Sequence, residues 1–439
     1  MKSTDFSAFV TSVRHSAPYV HAFRKRTFVI GFGGEVMQGD MALRLAHDCN
    51  LLASLGIHLV LVAGARPQIE AEMDARGLPS RYHKGLRVTD GPALECAKRA
   101  MGALCVDIQA LLSQGLPDTP MAGGAMRVAM GNFITAKPVG VVDGVDFQYT
   151  GAVRKVAADS LARALEDHHV VLIAPFGVSP SGEVFNLSME EVAERVAVAL
   201  SAVKLIYLCD APGVVDDAGQ LVSAMTADEA QRWLGEGRGI TEDLGLYLPY
   251  AIRAVQNGVQ RAHLIDRDVD GALLVEVFTP AGIGTVITEQ SLARVRDAVP
   301  EDVGGIVRLI APLEADGTLV PRGRELLEME IDRFAVLEHD GAVVGCAALY
   351  PFSDEAVAEL SCVAVMPMYR QRGFGEIMLA HMVQRAQRAG LKKLFVLTTR
   401  TAHWFIERGF REVGVDALPT RKRMLYNMQR RSKVFIKEI

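Results

Sequence analysis

The sequence predicts two folded domains in tandem. Residues 1–289 read as a three-layer α/β domain with a largely parallel sheet, and residues 290–439 as an α+β domain with a mostly antiparallel sheet. Three observations carry this. Up to about Thr288, short apolar runs alternate with helix-length amphipathic segments, the pattern of strands buried on both faces by crossover helices. The alternation breaks at the charged stretch Glu289 to Val299 and Pro300. Beyond it, Asp340-Gly341 sits between two β-rich runs, which is a hairpin signal rather than a crossover.

In chain order, the parallel strands are expected at Thr27 to Phe32, Ile57 to Val62, Val170 to Ala174, Val203 to Leu208 and Arg261 to Ile265. Ligands of such a sheet bind beside the turns at the carboxyl ends of its strands, several of which are glycine-rich here. In the second domain, Glu301 to Leu313 reads as a helix, Phe334 to Glu338 and Ala342 to Tyr350 as the hairpin, and Ala356 to Val365 as a further strand. A helix from about Phe374 to Ala389, a strand from Lys393 to Thr398, a helix from Ala402 to Arg408 and a strand from Phe410 to Val413 complete it.

Half of the 439 residues are hydrophobic and 23% are charged, the composition of an ordinary globular protein. The net charge is −5, and the basic clusters (Arg24 to Arg26, Arg421 to Arg423, Arg430-Arg431) are short and scattered, so nucleic acid is not an expected partner. The most apolar stretch, Val196 to Cys209, is interrupted by Ser201 and Lys204, so no membrane span is expected. The six cysteines lie far apart in apolar runs without metal-ligand spacing. They read as buried thiols of a reducing, cytoplasmic setting, with no metal site.

The sharpest motif is Arg370-Gln371-Arg372-Gly373-Phe374-Gly375, between a strand and a helix. Glycines allow close backbone approach, free N–H groups at a helix N-terminus cradle phosphate oxygens, and arginines add charged donors. Met378 stands where a dinucleotide fingerprint needs its third glycine, which disfavours a nicotinamide cofactor. The arrangement resembles the pyrophosphate loop of the GCN5-related N-acetyltransferases (GNAT), with Arg370, Gly373 and Gly375 at the matching positions. The resemblance implies acetyl-CoA as co-substrate.

Acetyl transfer to an amine needs a base, because an amino group is mainly protonated at neutral pH. In Val357 to Val365, Glu359 and Ser361 are the polar residues and alternation puts them on one face. Glu359 is the candidate base, and backbone N–H groups around Cys362, Val363 and Val365 are candidates to polarise the thioester carbonyl.

Taken together, the two halves resemble the bacterial N-acetylglutamate synthase family, which implies L-glutamate as acceptor and a place at the start of arginine biosynthesis. By that resemblance Thr398, in Leu397-Thr398-Thr399-Arg400, returns a proton to the departing thiolate, with Thr399 as the neighbouring alternative. The same resemblance makes Arg322 and Arg430 the ligands of the substrate carboxylates, with Arg324 and Arg431 adjacent. An acetyltransferase for another amine and a non-catalytic amino-acid sensor are the competing readings.

The first domain resembles the amino-acid kinase family through Gly31-Phe32-Gly33-Gly34 and Ala63-Gly64-Ala65-Arg66-Pro67-Gln68. Gly31 stands where active members carry a lysine, and phosphoryl transfer depends on such positioned cations, so no kinase activity is expected. The resemblance instead implies a regulatory L-arginine site. Its members are Tyr19, after Pro18 at the end of an N-terminal helix, Lys204, Glu276, Gly282 and Gly284, with Ala281 where relatives commonly carry an acid. It also implies self-association through that helix, a hexamer being one form.

Overall fold

The computed structural model describes residues 3–115, 126–167, 170–237, 239–279, 282–370, 373–426 and 432–439. The chain divides into two compact units, Met1–Ser291 and Leu292–Ile439.

The first unit is organised by an 8-stranded sheet, in the order Ala224–Thr226, Thr285–Thr288, Arg261–Asp266, Lys204–Cys209, Thr27–Phe32, His58–Ala63, Val170–Ile173 and Val128–Ala129. From Arg261–Asp266 to Val128–Ala129 all neighbours are parallel, and Thr285–Thr288 is antiparallel to Arg261–Asp266. Alternation sends Val29, Val60 and Leu205 into one core with the helices Met189–Ala199 and Glu242–Gln256. Phe28, Ile30 and Leu61 enter the other, with Asp40–Ser54 and Gly91–Leu112. The apolar runs of the sequence are thus strands with both faces covered.

Two features depart from the sequence reading. A separate 4-stranded sheet, ordered Val184–Asn186, Phe176–Val178, Ile134–Pro138 and Gly151–Val156, was not expected, because its strands are short and only partly buried. The N-terminal helix does not end at Pro18-Tyr19 but continues to Phe23. Pro18 is on its exposed side, where the carbonyl freed by the missing N–H reaches water, while Tyr19, Val20 and Phe23 pack inward.

The second unit is a 7-stranded sheet in the order Ala293–Asp297, Phe334–His339, Ala342–Phe352, Val357–Val365, Lys393–Thr398, Lys433–Glu438 and Arg411–Val413. Neighbours are antiparallel except Val357–Val365 with Lys393–Thr398. The helix Val303–Ala315 covers one face and Phe374–Arg388 the other. At the hairpin turn Asp340 and Gly341 both have positive φ, 52° and 75°, the requirement of the tight turn their sequence signals.

The charged stretch read as the break between domains contains the edge strand Ala293–Asp297. Its charges are anchored: the Arg296 guanidinium donates to Asp302 at 2.6 and 2.9 Å and to Glu338 at 2.7 Å. Charged residues are common on edge strands because one edge stays in water. All six cysteines are free and buried. Among the described residues no helix is long and apolar enough to cross a membrane.

Candidate functional site

The site in the second unit arises where two parallel strands part. Val357–Val365 pairs with Lys393–Thr398 only at Val357, Ala358 and Glu359, opposite Lys393, Leu394 and Phe395. On the other side its register with Ala342–Phe352 shifts, so that Cys346 pairs with Ala364 but Ala348 pairs with Ser361. Cys362 sits in that bulge with φ 53°, a left-handed conformation that costs a side-chain-bearing residue about 1–2 kcal/mol. The bulge bends the strand away from its neighbour, and beyond Glu359 no described strand pairs with that edge. The backbone around Cys362, Val363 and Val365 therefore faces a gap in the sheet, where its N–H groups can meet a ligand.

A cavity of about 390 Å³ lies there, lined by Arg322, Tyr350, Glu359, Ser361, Cys362, Lys422 and Tyr426 among others. Glu359 is 8% exposed, and its Oε2 lies 2.6 Å from Lys422 Nζ. Two positions on, Ser361 Oγ accepts from Arg322 Nη2 at 2.9 Å. The Arg322 backbone N–H donates to Glu314 Oε1 at 2.8 Å, which fixes the loop that presents the guanidinium. Arg324 is separated from it, paired with Glu328 at 3.0 Å on the surface. Tyr350 donates to Glu330 Oε2 at 2.8 Å, and burial pushes its phenol up to about 12. Arg430 and its neighbour Arg431 lie outside the described residues, as do Gln371, Arg372 and Ala281.

Thr398 closes the neighbouring strand. Its Oγ1 accepts from the N–H groups of Arg400 and Thr401 at 3.3 and 3.1 Å and lies 2.9 Å from Thr401 Oγ1. It is three residues past Phe395, the partner of Glu359, hence about 10 Å further along the strand.

The glycines of the loop serve different ends. Gly373, φ 74°, is the N-cap of the helix Phe374–Arg388 and has no side chain to cap it, so among the described residues the N–H groups of Phe374 and Gly375 are left for an external acceptor, while that of Glu376 meets its own carboxylate. Gly375 is a packing glycine, since a Cβ there would lie 2.8 Å from Cζ2 of Trp404. Trp404 in turn carries the Arg408 guanidinium 4.2 Å above its ring, and Arg408 pairs with Glu376 of the first helical turn. That pair neutralises a carboxylate that would otherwise oppose an anion at the helix N-terminus. Arg370 is exposed and donates to Val365 O at 3.3 Å. Phe374 stacks on Tyr369.

In the first unit the expected regulatory residues converge. Lys204 is 2% exposed, with Nζ 2.9 Å from His263 Nε2, and His263 Nδ1 lies 2.6 Å from Glu276 Oε1. The other Glu276 oxygen accepts from the N–H groups of Ile283 and Gly284 at 2.7 and 2.9 Å. Gly282, φ 59°, leaves no room for a Cβ, which would lie 2.4 Å from Glu276 Oε2. The Phe23 ring lies 5.2 Å from Lys204 Nζ, and Tyr19 sits 6.0 Å from Phe23. Burial and the Lys204 charge hold the His263 imidazole down at about 4. Burial opposes the charge on Glu276, but His263 and the loop N–H groups outweigh it and keep the carboxyl at about 2. The arrangement is a neutral imidazole donating from Nδ1 to a carboxylate and accepting at Nε2 from an ammonium. His263 was not singled out in the sequence, where it reads as one residue of the apolar run Arg261 to Ile265.

A second cavity, of about 360 Å³, is lined by Gly33, Gly64, Arg66, Asn186, Glu190 and Asp243 among others. The side-chain space of Gly31, next to Met189 of the cavity lining, is filled. A Cβ at 31 would lie 2.9 Å from Cδ1 and Cε1 of Tyr207 and 3.0 Å from Sδ of Met189. The Tyr207 hydroxyl donates to Glu190 O at 2.8 Å, which fixes the ring in that position.

These features define the class: residues 26–266 match the amino acid kinase family and residues 310–410 the acetyltransferase (GNAT) family. Relatives align with this chain over almost its whole length. The amino-acid acetyltransferase of Ralstonia nicotianae is 51% identical over 98% of this chain and 95% of that protein. That of Ectopseudomonas mendocina is 46% identical over 98% and 99%. N-acetylglutamate synthase from Neisseria gonorrhoeae, solved complexed with coenzyme A and L-arginine, is 37% identical, with 98% of this chain and 99% of that one covered and a TM-score of 0.84. The same protein complexed with coenzyme A and N-acetyl-glutamate aligns with a TM-score of 0.62. The chain belongs to the amino-acid acetyltransferase family, enzymes that use acetyl-CoA to acylate an amino acid.

Proposed function

We propose that the chain transfers the acetyl group of acetyl-CoA to the α-amino group of L-glutamate, with Glu359 as general base. The observation that carries the mechanism is the position of Glu359, a buried carboxylate on the last paired residue before the strands part. Glu359 takes a proton from the substrate ammonium, and the freed nitrogen attacks the acetyl carbonyl carbon. The N–H groups beside the Cys362 bulge meet the oxygen as it becomes an oxyanion. The C–S bond breaks, the thiolate takes its proton from the Thr398 hydroxyl, and the second proton shed by the substrate nitrogen restores that hydroxyl. Arg322 holds a substrate carboxylate, while the uncapped turn at Gly373 to Gly375, with Arg370, receives the pyrophosphate. The substrate and the place in arginine biosynthesis are supported by full-length similarity to a synthase whose product, N-acetyl-glutamate, was solved with it.

In the same reading L-arginine acts as effector at the first unit. Its guanidinium is drawn to Glu276, and Tyr19, Lys204, Gly282 and Gly284 shape the pocket. The relative solved with L-arginine supports this. Gly31 and Tyr207 leave no place for a phosphoryl-binding lysine, so this unit regulates without phosphorylating. Phe6, Phe9 and Val13, exposed at 56, 62 and 51%, support self-association through the N-terminal helix.

The test is coenzyme A thiol release with each amino acid, with and without L-arginine, for the natural protein and Glu359→Gln. Glutamate-selective turnover that responds to arginine is expected. In the variant kcat should fall by about 10²- to 10⁴-fold while acetyl-CoA binding is retained. Full turnover by Glu359→Gln removes the base assignment, and equal turnover of other amino acids removes the substrate assignment.

A further inference from the structure

The candidate base is not free: Lys422 Nζ lies 2.6 Å from its Oε2, and the two side chains are only 25% and 10% exposed. A carboxylate already paired with an ammonium is poorly placed to receive the ammonium of a substrate, because the two cations would repel across one anion. Lys422 sits on the short helix Thr420–Met424, between Arg421 and Arg423, and of these three only Lys422 lines the cavity. Its four-carbon stem carries a compact charge that can swing several ångströms while its backbone stays still.

We propose that Lys422 determines specificity for an amino acid with a second carboxylate: it covers Glu359 until the acceptor's distal carboxylate draws it away. This inference rests on Glu359 being the base of an amino-acid acetyltransferase. The charges of the described lining residues support it. Glu330 is matched by Arg333 at 3.1 Å, which leaves Glu359, Lys422 and Arg322. An acceptor with an ammonium and two carboxylates completes three cation–anion pairs: Arg322 with one carboxylate, Lys422 with the other, and the ammonium with Glu359. An acceptor whose one carboxylate is held by Arg322 brings no second anion to Lys422, which remains on the base. Selection is thereby exerted twice, on binding and on exposure of the base, and the uncharged isostere L-glutamine is refused although it fills the same volume.

The experiment compares L-glutamate with L-glutamine as acceptors for the natural protein, Lys422→Met and Lys422→Arg, with acetyl-CoA binding and thermal unfolding as controls on folding. In Lys422→Met, kcat/KM for glutamate should fall about 10- to 100-fold, mainly through KM, as expected for loss of a charge-assisted contact. Glutamine turnover should hold or rise, so the ratio between the two substrates collapses. Lys422→Arg should restore most of that ratio. Should Lys422→Met not fold, Lys422→Gln takes its place. A ratio unchanged in the uncharged variant, or an equal loss on both substrates, overturns the proposal. Failure of the natural protein to acetylate glutamate at all overturns the parent reading instead.

Discussion

Replacing His263 by glutamine should remove a defined part of the acid sensitivity of the first unit. The imidazole bridges Lys204 Nζ and Glu276 Oε1 at 2.9 and 2.6 Å, and burial followed by the Lys204 charge holds it at about 4, against an ordinary 6.5. A histidine that resists protonation in the folded state gains its proton more readily on unfolding. Stability is therefore complete above pH 6.5 and falls with pH until about 4. At about 1.4 kcal/mol per pH unit, going from pH 7 to 5 costs roughly 2 kcal/mol from this residue. Glu276, depressed from 4.5 to about 2, keeps its contribution over that interval and loses it only below pH 4.5. Glutamine offers one acceptor to Lys204 and one donor to Glu276 but does not titrate, so both contacts persist. Of the two tryptophans, Trp233 lies in the first unit and Trp404 in the second. Urea unfolding followed by Trp233 fluorescence in a Trp404→Phe background thus reads the first unit. The expected result is similar stability at pH 7 and a smaller loss at pH 5 in His263→Gln, by about 2 kcal/mol. The same loss in both proteins would refute the bridging arrangement.

Gly31→Ala should destabilise the first unit by about 1–3 kcal/mol, because its Cβ overlaps the Tyr207 ring. Gly31→Lys should cost more and should give no phosphorylation of N-acetyl-glutamate by ATP; denaturation and a phosphoryl-transfer assay decide both. Gly375→Ala should raise the KM for acetyl-CoA and lower the melting temperature of the second unit by pressing on Trp404, whereas Gly373→Asn, at φ 74° with a Cβ that meets none of the described residues within 4 Å, should be tolerated. Paired melting curves and acetyl-CoA titrations distinguish them.

Much of this was legible because the informative residues are also the local ones. Continuous apolar runs such as Thr27 to Phe32 betray strands buried on both faces, and Asp340-Gly341 betrays a turn that needs two positive φ values. The loop read as a phosphate site is contiguous, and Glu359 is marked by being charged in an apolar strand. What was missed depends on distance along the chain or on packing. Lys422 meets Glu359 only because the fold brings them together, and nothing around Arg421 to Arg423 distinguishes it from a solvated cluster. His263 looks like a strand residue until Lys204 and Glu276 are placed on either side of it. The bulge at Cys362 has no composition of its own. Gly375 was read as making room for an anion, and its missing Cβ also makes room for an indole from another helix.

The Tyr207 ring at Gly31 has a consequence for the substitutions this position can accept. Placing a lysine at 31 by a single mutation sets its first carbon against a buried ring, so the substitution costs stability before it supplies any cation. Shrinking Tyr207 first opens a void in the core beside Met189 and abandons the hydrogen bond to Glu190. Either order passes through a less stable protein. The packing around residue 31 therefore acts as a ratchet: no single substitution admits a lysine there without a loss of stability.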